Sequence, residues 1–414
     1  MSRIDELIER LCPDGVEYKA LEEIGYLFSG LSGKTKSDFG KGDGRFVTYK
    51  NVFDNPSIDL GVLESVVIGP DERQNELSVG DVLFTGSSES PEEAGMASVV
   101  TSLPSHPLYM NSFCFGLRLN DPSMLNLGFL KHLFRDGRIR QQIVRTANGV
   151  TRFNISKKQF VKIRIPVPPM EVQEEIVRIL DSFAELEAEL EAELEARRRQ
   201  YAYYRDELLD FSGRDDVQWM KLGDVCSVTD GDHQPPPKAQ EGVPFVTISC
   251  VDEYGRVDFT NASRVPRSYY DALKRDRVPQ KGDILYTVVG TLGVPVRVLT
   301  GDDFVVQRHI AILRPENGLL QNYLYFVLKS TPFYNAACSA ATGAAQKTIG
   351  LKYLRSSVIP IPPLQEQERI VAILDKFDAL VNDISQGIPA EIEARRKQYA
   401  FYRDKLLSFK EKAA

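Results

Sequence analysis

The sequence has 414 residues, of which 43% are hydrophobic and 26% charged, a composition typical of a globular protein with two or three domains. The five cysteines lack C-x-x-C spacing, which argues against a zinc framework or a disulfide scaffold and fits a reducing compartment. The net charge is −7, but residues 171–211 alone carry 13 acidic and 5 basic side chains, so the remainder is almost neutral. Net charge therefore neither supports nor excludes a nucleic-acid partner.

The beginning of the chain is charged, and no apolar run approaches the roughly 18 residues that a membrane span requires. These two features predict a cytoplasmic protein.

A long segment of the chain occurs twice. Residues 165–211 read IPVPPMEVQEEIVRILDSFAELEAELEAELEARRRQYAYYRDELLDF, and residues 359–409 read IPIPPLQEQERIVAILDKFDALVNDISQGIPAEIEARRKQYAFYRDKLLSF. The preceding regions also correspond, since Gly80-Asp81-Val82-Leu83 parallels Gly282-Asp283-Ile284-Leu285 and Phe46-Val47-Thr48 parallels Phe245-Val246-Thr247. The first sixteen residues resemble the end of a repeat, because Asp5-Glu6-Leu7 parallels Asp206-Glu207-Leu208. The chain is therefore predicted to be circular in design, with its two ends close together.

The repeat predicts five segments in chain order. They are an N-terminal segment at 1–16, a first domain at 17–164, a helical spacer at 165–213, a second domain at 214–358 and a second helical spacer at 359–414. Short β-like runs separated by Gly, Pro and Asp indicate two similar mixed α/β (α+β) domains, each with a helix-like segment near its end. The clearest of these stretches are the runs Phe245–Ser249, Asp283–Val289 and Val305–Leu313 and the helix-like segments Asn126–Arg138 and Leu320–Tyr334.

Each repeated segment is predicted to be a long helix that begins after a Pro-x-Pro-Pro sequence. Apolar residues recur at alternating three- and four-residue steps, the pattern of a coiled-coil seam, and we expect the two copies to pack antiparallel about an approximate twofold axis. The seam positions are Ile176, Ile179, Phe183, Leu186, Leu190 and Tyr201 in the first copy, and Ile370, Ile373, Phe377, Leu380 and Tyr399 in the second. A break in the second helix is expected near Gly387-Ile388-Pro389, because a proline inside a helix removes a hydrogen bond.

The repeat plan and the motif I-P-[VI]-P-P-x-x-x-Q-x-x-I-V-x-I-L-D-x-F resemble the specificity subunits of type I restriction–modification systems. Four further stretches are similar to that family as well: Asp230-Gly-Asp-His233, Pro235-Pro-Pro-Lys238 and the parallel segments Ala147–Ile155 and Ala341–Ile349. The resemblance implies two target-recognition domains, each reading one half of a bipartite target on double-stranded DNA, joined by helical regions. It also implies that two methyltransferase subunits and restriction/translocase subunits are partners.

The tetrapeptide Ala-Glu-Leu-Glu occurs three times in succession, at residues 184–187, 188–191 and 192–195. Similar runs in this family act as spacers between half-sites. Four helical residues add about 6 Å of length, and one base pair occupies about 3.4 Å. A change in the number of units should therefore change the gap in the target. The simpler interpretation is a solvated acidic helix with high helix propensity.

Motifs that carry chemistry are missing. There is no [DN]-P-P-[YF] sequence of an adenine methyltransferase, and Ser32-Gly33-Lys34-Thr35 is not a phosphate loop because Phe28 stands where the motif requires glycine. The four histidines have no metal-ligand spacing, and Asp230, Asp232 and His233 are better explained as a turn or a DNA-contact loop than as a metal site. We therefore expect a non-catalytic chain that binds no cofactor or metal. S-adenosylmethionine, ATP and magnesium are expected on partner subunits.

Side chains that could contact bases or phosphates lie in the Gly-rich stretches of both domains. Arginine recognises guanine, asparagine and glutamine recognise adenine, and lysine and arginine bind phosphates. An ordinary solvated surface charge is the alternative for any one of them. The candidates are Lys34, Lys36, Lys41, Arg45, Lys50 and Arg152 in the first domain, and Lys238, Arg264, Arg267, Arg308, Gln346 and Lys347 in the second.

Two further functions remain open at this stage. One is the specificity subunit of a fused methyltransferase–nuclease (type IIB/IIG-like) system, which also recognises a bipartite site. The other is a coiled-coil scaffold with no DNA role. The sequence Ala196-Arg-Arg-Arg-Gln-Tyr-Ala-Tyr-Tyr204 and its copy combine aromatic and basic residues suited to a protein interface, and the alternative is that their tyrosines fill the seam; we expect Tyr201 and Tyr399 in the seam and the flanking faces against a methyltransferase.

Overall fold

The computed structural model describes residues 3–344, 346–383, 385 and 387–413. The α-helices are α1 (Arg3–Leu11), α2 (Leu21–Ile24), α3 (Tyr49–Asp54), α4 (Leu127–Leu133), α5 (Gly137–Val144), α6 (Lys157–Phe160), α7 (Met170–Leu208), α8 (Leu222–Val225), α9 (Arg267–Ala272), α10 (Gln321–Lys329), α11 (Thr331–Ser339), α12 (Leu351–Ser356), α13 (Leu364–Asn382) and α14 (Gly387–Leu406). Short 3-10 helices lie at Lys36–Asp38, Leu60–Val62, Pro91–Glu93, Ile248–Cys250 and Arg275–Arg277.

The strands fall into two series of similar order. They are β1 (Glu17–Ala20), β2 (Gly25–Ser29), β3 (Phe39–Val47), β4 (Glu64–Val66), β5 (Val82–Thr85), β6 (Ser87–Ser88), β7 (Ala97–Val99), β8 (Leu108–Met110), β9 (Cys114–Leu119), β10 (Ala147–Asn148), β11 (Phe153–Ile155), β12 (Arg164–Val167), β13 (Gln218–Lys221), β14 (Cys226–Asp230), β15 (Val243–Val246), β16 (Ser263–Val265), β17 (Ile284–Thr287), β18 (Pro295–Arg297), β19 (Val305–Val306), β20 (Ile310–Pro315) and β21 (Val358–Ile361).

The chain forms two compact units. Unit 1 contains residues 1–189 and 393–414, and unit 2 contains residues 190–392. Helix α7 contributes its first half to unit 1 and its second half to unit 2. Each unit therefore combines one mixed α/β domain with two helical pieces that are far apart in the sequence.

The two α/β domains have the same sheet topology. Unit 1 has a four-stranded antiparallel sheet in the order β2-β9-β5-β7 and a three-stranded sheet in the order β4-β3-β8. Unit 2 has the corresponding sheets β14-β20-β17-β18 and β16-β15-β19. In both three-stranded sheets one pair is parallel, β3 with β8 and β15 with β19. The repeat seen in the sequence is therefore a repeat of structure, as the paired Gly-Asp-Val-Leu and Phe-Val-Thr segments predicted.

The core of each domain lies between the four-stranded sheet and the helices that follow it. In unit 1, Phe84 of β5 is fully buried and its ring lies within 5.4 Å of those of Phe115, Phe134 and Phe160. In unit 2 the fully buried Tyr286, Tyr323 and Phe326 belong to the corresponding apolar cluster. Aromatic side chains of this size dominate the apolar area that a domain buries.

The predicted helix-like segments near the end of each domain are helical but interrupted. Asn126–Arg138 contains α4 and the start of α5, and Leu320–Tyr334 contains α10 and the start of α11. The second helix of each pair begins after a polar cap, Asp136 or Ser330, whose side chain accepts hydrogen bonds from the first turn. Such caps start a new helix within an apolar run that has helical periodicity throughout.

Two repeated helical pieces pack antiparallel within each unit. In unit 1, the Phe183 ring of α7 stacks on Tyr402 of α14 at 5.3 Å, and Glu187 pairs with Arg396 at 2.6 Å. Because the residue number rises along one helix as it falls along the other, the two run in opposite directions.

In unit 2, the Tyr204 ring of α7 lies 6.0 Å from Phe377 of α13, and the Tyr201 hydroxyl donates to Asp378 Oδ1 at 3.1 Å. The expected break in the second helical segment is present, because α13 ends at Asn382 and α14 begins at Gly387. Pro389 lies in the first turn of α14, where its missing N–H removes no helical hydrogen bond.

The helical seam differs from the predicted one at two equivalent positions. Leu186 and Leu380 were expected inside it, but their side chains are 45% and 37% exposed. Leu180 and Leu374 are fully buried instead. The beginning of each helix packs on the α/β domain as well as on the other helix, so the buried face there follows i, i+4 spacing. The other predicted seam residues Ile176, Ile370 and Tyr201 are buried, and Ile179, Phe183, Leu190, Ile373, Phe377 and Tyr399 are partly buried.

A buried glutamine joins each long helix to its domain. Gln173 Oε1 accepts from the Asn126 backbone N–H at 2.8 Å, and its Nε2 donates to Met124 O at 3.0 Å and Pro168 O at 2.8 Å. Both ends of one amide are therefore used to hold the start of α7 against the start of α4.

Gln367 repeats this arrangement in unit 2. Its Oε1 accepts from Leu320 N at 3.0 Å, and its Nε2 donates to Pro362 O at 3.0 Å and Gly318 O at 3.3 Å. The glutamine of the repeated motif P-P-x-x-x-Q is thus the residue that connects helix and domain.

Substitution of Gln367 by alanine should destabilise unit 2. The change leaves buried backbone groups of the α10 start and of Pro362 without partners, and each unsatisfied group costs about 1–3 kcal/mol. Urea denaturation followed by the fluorescence of Trp219, the single tryptophan of the chain, would report the loss. Gln365→Ala in the same helical turn is the control, because Gln365 is exposed and should change the free energy of unfolding by less than about 0.5 kcal/mol. Equal effects of the two substitutions would contradict this role.

Candidate nucleic-acid interface

A β-hairpin occurs at the equivalent place in each unit. In unit 1, β10 pairs antiparallel with β11, and β11 pairs with β6. In unit 2, isolated bridges join Thr342 to Thr348 and Thr348 to Val289. The sequence similarity between Ala147–Ile155 and Ala341–Ile349 therefore corresponds to a shared hairpin.

The hairpin tips present different side chains at matching positions. Arg152 and Gln346 are 194 residues apart, which is the same offset as that between Gln173 and Gln367, and both are exposed. Val150 at the tip in unit 1 is 89% exposed. Gly149 and Gly343 make the turns, with φ of 148° and 121°, and an added Cβ at either would lie within 2.3 Å of a backbone oxygen.

Arg152 borders a cleft of about 620 Å³ in unit 1. Its Nε donates to Ser87 Oγ at 3.0 Å, and its guanidinium lies 5.5 Å from the centroid of the Phe113 ring, which is itself 58% exposed. Lys50 of α3 lines the same cleft. The structure thus brings two of the candidates, Arg152 and Lys50, together at this cleft. The exposed Phe113 ring, which the sequence analysis did not single out, lines the same cleft.

The remaining candidates of unit 1 lie on and around β3. Lys36 and Lys41 are exposed, whereas Arg45 is half-buried and donates to Gly42 O at 3.2 Å. Lys34 is different, because its side chain is only 7% exposed and its amine binds both the Glu72 carboxylate and Val67 O. The hydrogen bond from Lys34 is the main reason that the pKa of Glu72 falls to about 2. The Lys34 amine is therefore engaged in a structural ion pair and does not extend toward solvent as the lysine of a phosphate loop would.

In unit 2 the candidates divide in the same way. Arg267 pairs with Asp303 at 2.5 Å and with Asp271 at 3.0 Å, and Arg264 donates to Gly242 O at 2.8 Å. The side chains of Lys238, Arg308, Gln346 and Lys347 are exposed. Arg308 and His309 contact each other at 3.4 Å.

The Asp230-Gly-Asp-His233 stretch forms an internally paired turn. His233 Nε2 lies 3.0 Å from Asp230 Oδ2, and Tyr269 donates its hydroxyl to Asp232 at 3.1 Å. Arg277 lies 3.9 Å from the first carboxylate and 3.8 Å from the second. Among the residues that the structure describes, no group of three or more His, Cys, Asp or Glu side chains is arranged to hold a metal ion.

Two ion pairs between a buried aspartate and a partly exposed arginine, which the sequence analysis missed, connect residues of the four-stranded sheets. Arg118 binds the Asp81 carboxylate through Nε at 2.8 Å and through a terminal nitrogen at 2.6 Å. Arg314 binds Asp283 in the same two-pronged way, at 2.8 Å for both bonds. The bond to Asp81 is the main cause of the raised pKa of Arg118. Both aspartates belong to the repeated Gly-Asp-[VI]-Leu segments, so the repeat itself was a signal for this pair.

His132 is the one buried histidine among the described residues, and it has a structural role. Its Nε2 lies 2.8 Å from Asp181 Oδ1 on α7, and its Nδ1 lies 2.8 Å from the Tyr399 hydroxyl on α14. Burial lowers the pKa of His132, although the bond to Asp181 acts in the opposite direction. A neutral ring that donates to Asp181 and accepts from Tyr399 satisfies all three side chains.

The family model described as the type I restriction modification DNA specificity domain matches the chain twice, at residues 13–196 and 214–394. The chain belongs to this family. The two matches cover most of both units, in agreement with the resemblance found in the sequence.

Two similar proteins support the same family. A type I restriction enzyme specificity subunit from Escherichia coli is 34% identical over 273 residues, which cover 62% of this chain and 64% of that subunit. A protein from Haemophilus influenzae that is named as a specificity subunit of the same kind is 33% identical over 303 residues, 70% of this chain and 74% of that one. The chain thus spans slightly less than two thirds of the Escherichia coli relative.

The fold is also found among solved structures. A chain in a structure of the type I R-M system matches with a TM-score of 0.66 over 95% of this chain and 97% of that chain, at 18% identity. Among the described helices, none is long and apolar enough to cross a membrane.

We predict that Lys41 and Lys34 differ in their contribution to DNA binding. If Lys41 contacts a phosphate, Lys41→Ala should weaken binding severalfold at low salt and reduce the slope of log K against log salt by about 0.9. Lys34→Ala should leave that slope unchanged, because its amine is already bound to Glu72. The measurement is fluorescence anisotropy of duplex DNA with the methyltransferase complex at several salt concentrations. An equal loss of slope in both variants would show that the ion pair does not exclude Lys34 from DNA.

Proposed function

We propose that this chain is the DNA-reading subunit of a type I restriction–modification complex. Each unit would read one half of a bipartite target on double-stranded DNA, and the chain itself would perform no chemistry. The observation that carries the proposal is the double match to the DNA specificity family together with two units that share the topology of their four-stranded and main three-stranded sheets, each with a hairpin at the equivalent place. Two units that share a fold but differ in their exposed side chains suit a target with two different half-sites.

The candidate contacts support recognition of different bases by the two units. Arg152 in unit 1 has the side chain that pairs with guanine through two hydrogen bonds, whereas Gln346 in unit 2 has the amide that pairs with adenine. The exposed lysines around them, Lys36 and Lys41 in unit 1 and Lys238 and Lys347 in unit 2, are suited to phosphate contacts that fix orientation.

The helices supply the surface for partner subunits. Tyr203 on α7 and Phe401 on α14 stand at the same position of the repeat and are 64% and 63% exposed. Large exposed aromatic side chains are enriched at protein interfaces. Since the surface occurs twice, we propose that the chain recruits two methyltransferase subunits, and restriction/translocase subunits through them.

The chemistry would then take place on those partners, in the cytoplasm where the DNA lies. A base-modifying enzyme has to extrude its target base from the stack, and the methyltransferase subunits would do this with bound S-adenosylmethionine. ATP and magnesium would be used by the restriction subunits. A fused methyltransferase–nuclease system remains the second candidate, but both relatives described above are named type I subunits, which favours the first.

The proposal is tested by mapping methylated bases in cells that express the chain with its methyltransferase. We expect one split motif with a fixed gap of unspecified bases. A continuous short motif would contradict two separate readers, and no chain-dependent methylation at all would favour a scaffold without a DNA role.

Deletion of Ala188–Glu191 should shorten the gap and leave both half-sites unchanged. The deletion removes one tetrapeptide from α7, about 6 Å of helix, which corresponds to one or two base pairs at about 3.4 Å each. The same methylation map provides the measurement. Replacement of the tetrapeptide by Ala-Gln-Leu-Gln is the control, because it removes charge but keeps length and should leave the gap as it was. Altered half-site bases would disprove the spacer role.

Exchange of residues 17–164 for the corresponding domain of a relative with another target should change one half-site only. Recognition in this proposal depends on the hairpin and strands inside that segment, while the second half-site is read by residues 214–358. Methylation mapping before and after the exchange measures the outcome. A change in both half-sites would mean that the units do not read independently.

A further inference from the structure

Unit 2 contains an open groove of about 850 Å³ that the proposed DNA contacts do not use. It lies beside the end of α7, α11 and β21. Its apolar lining includes Leu209, Trp219, Val327, Phe333, Val358 and Ile359. Trp219 is 55% exposed and Val358 is 54% exposed, so the groove has a large aromatic ring and an aliphatic side chain facing solvent. Contiguous exposed apolar surface of this kind marks a binding site.

One wall of the groove is acidic. Asp206, Glu207 and Asp210 of the last turns of α7 and the residues after it line it. Asp206 is engaged, because it accepts from Thr331 N at 3.1 Å, and Asp210 accepts from Ser212 N at 2.9 Å. No lysine or arginine lines this groove among the described residues. Asp206 is also ion-paired with Arg205 at 2.8 Å, so Glu207 and Asp210 give the groove its negative charge beside the apolar area.

The equivalent surface of unit 1 can be identified from strand register and helix starts. Trp219 is opposite Pro360 in the pair β13–β21, as Tyr18 is opposite Pro166 in β1–β12. Pro332 stands two residues after the cap of α11, as Arg138 does after the cap of α5. Thus Tyr18 corresponds to Trp219, and Arg138 to Pro332.

In unit 1 this surface is covered by the chain's own C-terminal segment. The Tyr18 hydroxyl donates to Phe409 O at 3.2 Å, and Arg164, the counterpart of Val358, pairs with Glu411 at 2.5 Å. The backbone of Val16 bonds Lys410 O at 2.8 Å and Lys412 N at 2.9 Å. Unit 1 therefore shows what this surface accepts: an extended segment with an aromatic residue followed by charged ones.

The charges of the two surfaces indicate how the occupant of unit 2 must differ. In unit 1 the acidic Glu411 pairs with the basic Arg164, but the equivalent residue of unit 2 is Val358, which would contact an apolar side chain of the occupant. The acidic wall of unit 2 would attract basic residues before and after that apolar residue, at the places that Lys410 and Lys412 have around Glu411 in unit 1.

The backbone path cannot be copied, however. Gly15 has φ of 106°, and an added Cβ would lie 2.6 Å from Lys410 O, while the corresponding residue of unit 2 is Asp216. In unit 1 the C-terminal segment forms backbone hydrogen bonds with Val16, the counterpart of Val217. Binding in the groove of unit 2 would instead depend on side-chain contacts.

We propose that the groove of unit 2 binds an extended segment of the methyltransferase subunit in which an apolar residue lies between basic residues. The inference rests on the proposed function, since it names where that partner docks. It also makes the two units unequal, because unit 1 fills the corresponding surface with residues of this same chain.

The single tryptophan makes the groove directly observable. The chain would be labelled with 5-fluorotryptophan, so that Trp219 gives one ¹⁹F resonance, and titrated with unlabelled methyltransferase subunit, while complex formation is followed separately by analytical ultracentrifugation. We expect the resonance to shift as the complex forms. Val358→Lys should abolish the shift and weaken binding of one subunit about tenfold. Leu299→Lys, at a residue of unit 2 that is 59% exposed and outside the groove, should change neither.

Each other outcome has a distinct meaning. A complex that forms without any change at Trp219, or that is unaffected by Val358→Lys, would overturn the docking site and leave the proposed function intact. A shift that appears on concentrating the chain alone would assign the groove to a second copy and also overturn the proposal. Failure to form any complex would count against the proposed function itself, and with it the docking site.

Discussion

The attachment of each long helix to its α/β domain depends on one buried amide. Gln173 and Gln367 use both ends of the side chain. The amide oxygen accepts from a backbone N–H at the start of α4 or α10, and the amide nitrogen donates to the proline carbonyl that precedes the long helix. Such a buried amide restricts movement of the long helix relative to its domain, since any shift of the helix would leave several backbone groups without hydrogen-bond partners. The direction in which the helix leaves the domain is therefore fixed by the domain itself.

Beyond this joint, the two units reach the same architecture with different polar partners. Tyr399 in unit 1 meets His132, which in turn meets Asp181, whereas Tyr201 in unit 2 meets Asp378. Burial by itself would raise the pKa of Asp378, but the nearby Lys329 holds it below its usual value. Unit 1 thus pairs the partly buried Tyr399 with a neutral ring, whereas unit 2 pairs the buried Tyr201 with an aspartate that is ion-paired with Lys329. The backbone is repeated more faithfully than the side chains, so the two units share one construction but differ in their polar contacts.

The same contrast appears at the surface. The hairpins have glycines at matching places but Arg152 in one unit and Gln346 in the other. The surface beside Tyr18 is covered by residues of the same chain, while the groove beside Trp219 is open and acidic. Repetition of the scaffold provides two equivalent positions, and divergence of a few side chains gives each position different surface chemistry.

The sequence by itself determined the plan of this protein. The doubled motif revealed two similar domains and two helical segments, because seam periodicity, proline starts and repeated Gly-Asp pairs are local features that one chain displays directly. The family resemblance followed from the same motifs, and the family comparison agrees with it. The helix break near Pro389 could also be predicted, since it depends only on the chemistry of proline.

Only the tertiary structure decided which side chains are free to act. Lys34 and Lys41 both lie in the same Gly-rich stretch, and the sequence does not distinguish them. In the structure Lys34 is bound to Glu72, which lies between β4 and β5, whereas Lys41 is exposed. Leu186 and Leu380 have the right spacing for the seam but lie outside it, because the first turns of each helix also face the domain. The groove beside Trp219 is likewise built from α7, α11 and β21, which are far apart in the chain. Burial and pairing depend on contacts between residues distant in sequence, and the pattern of a single segment does not contain them.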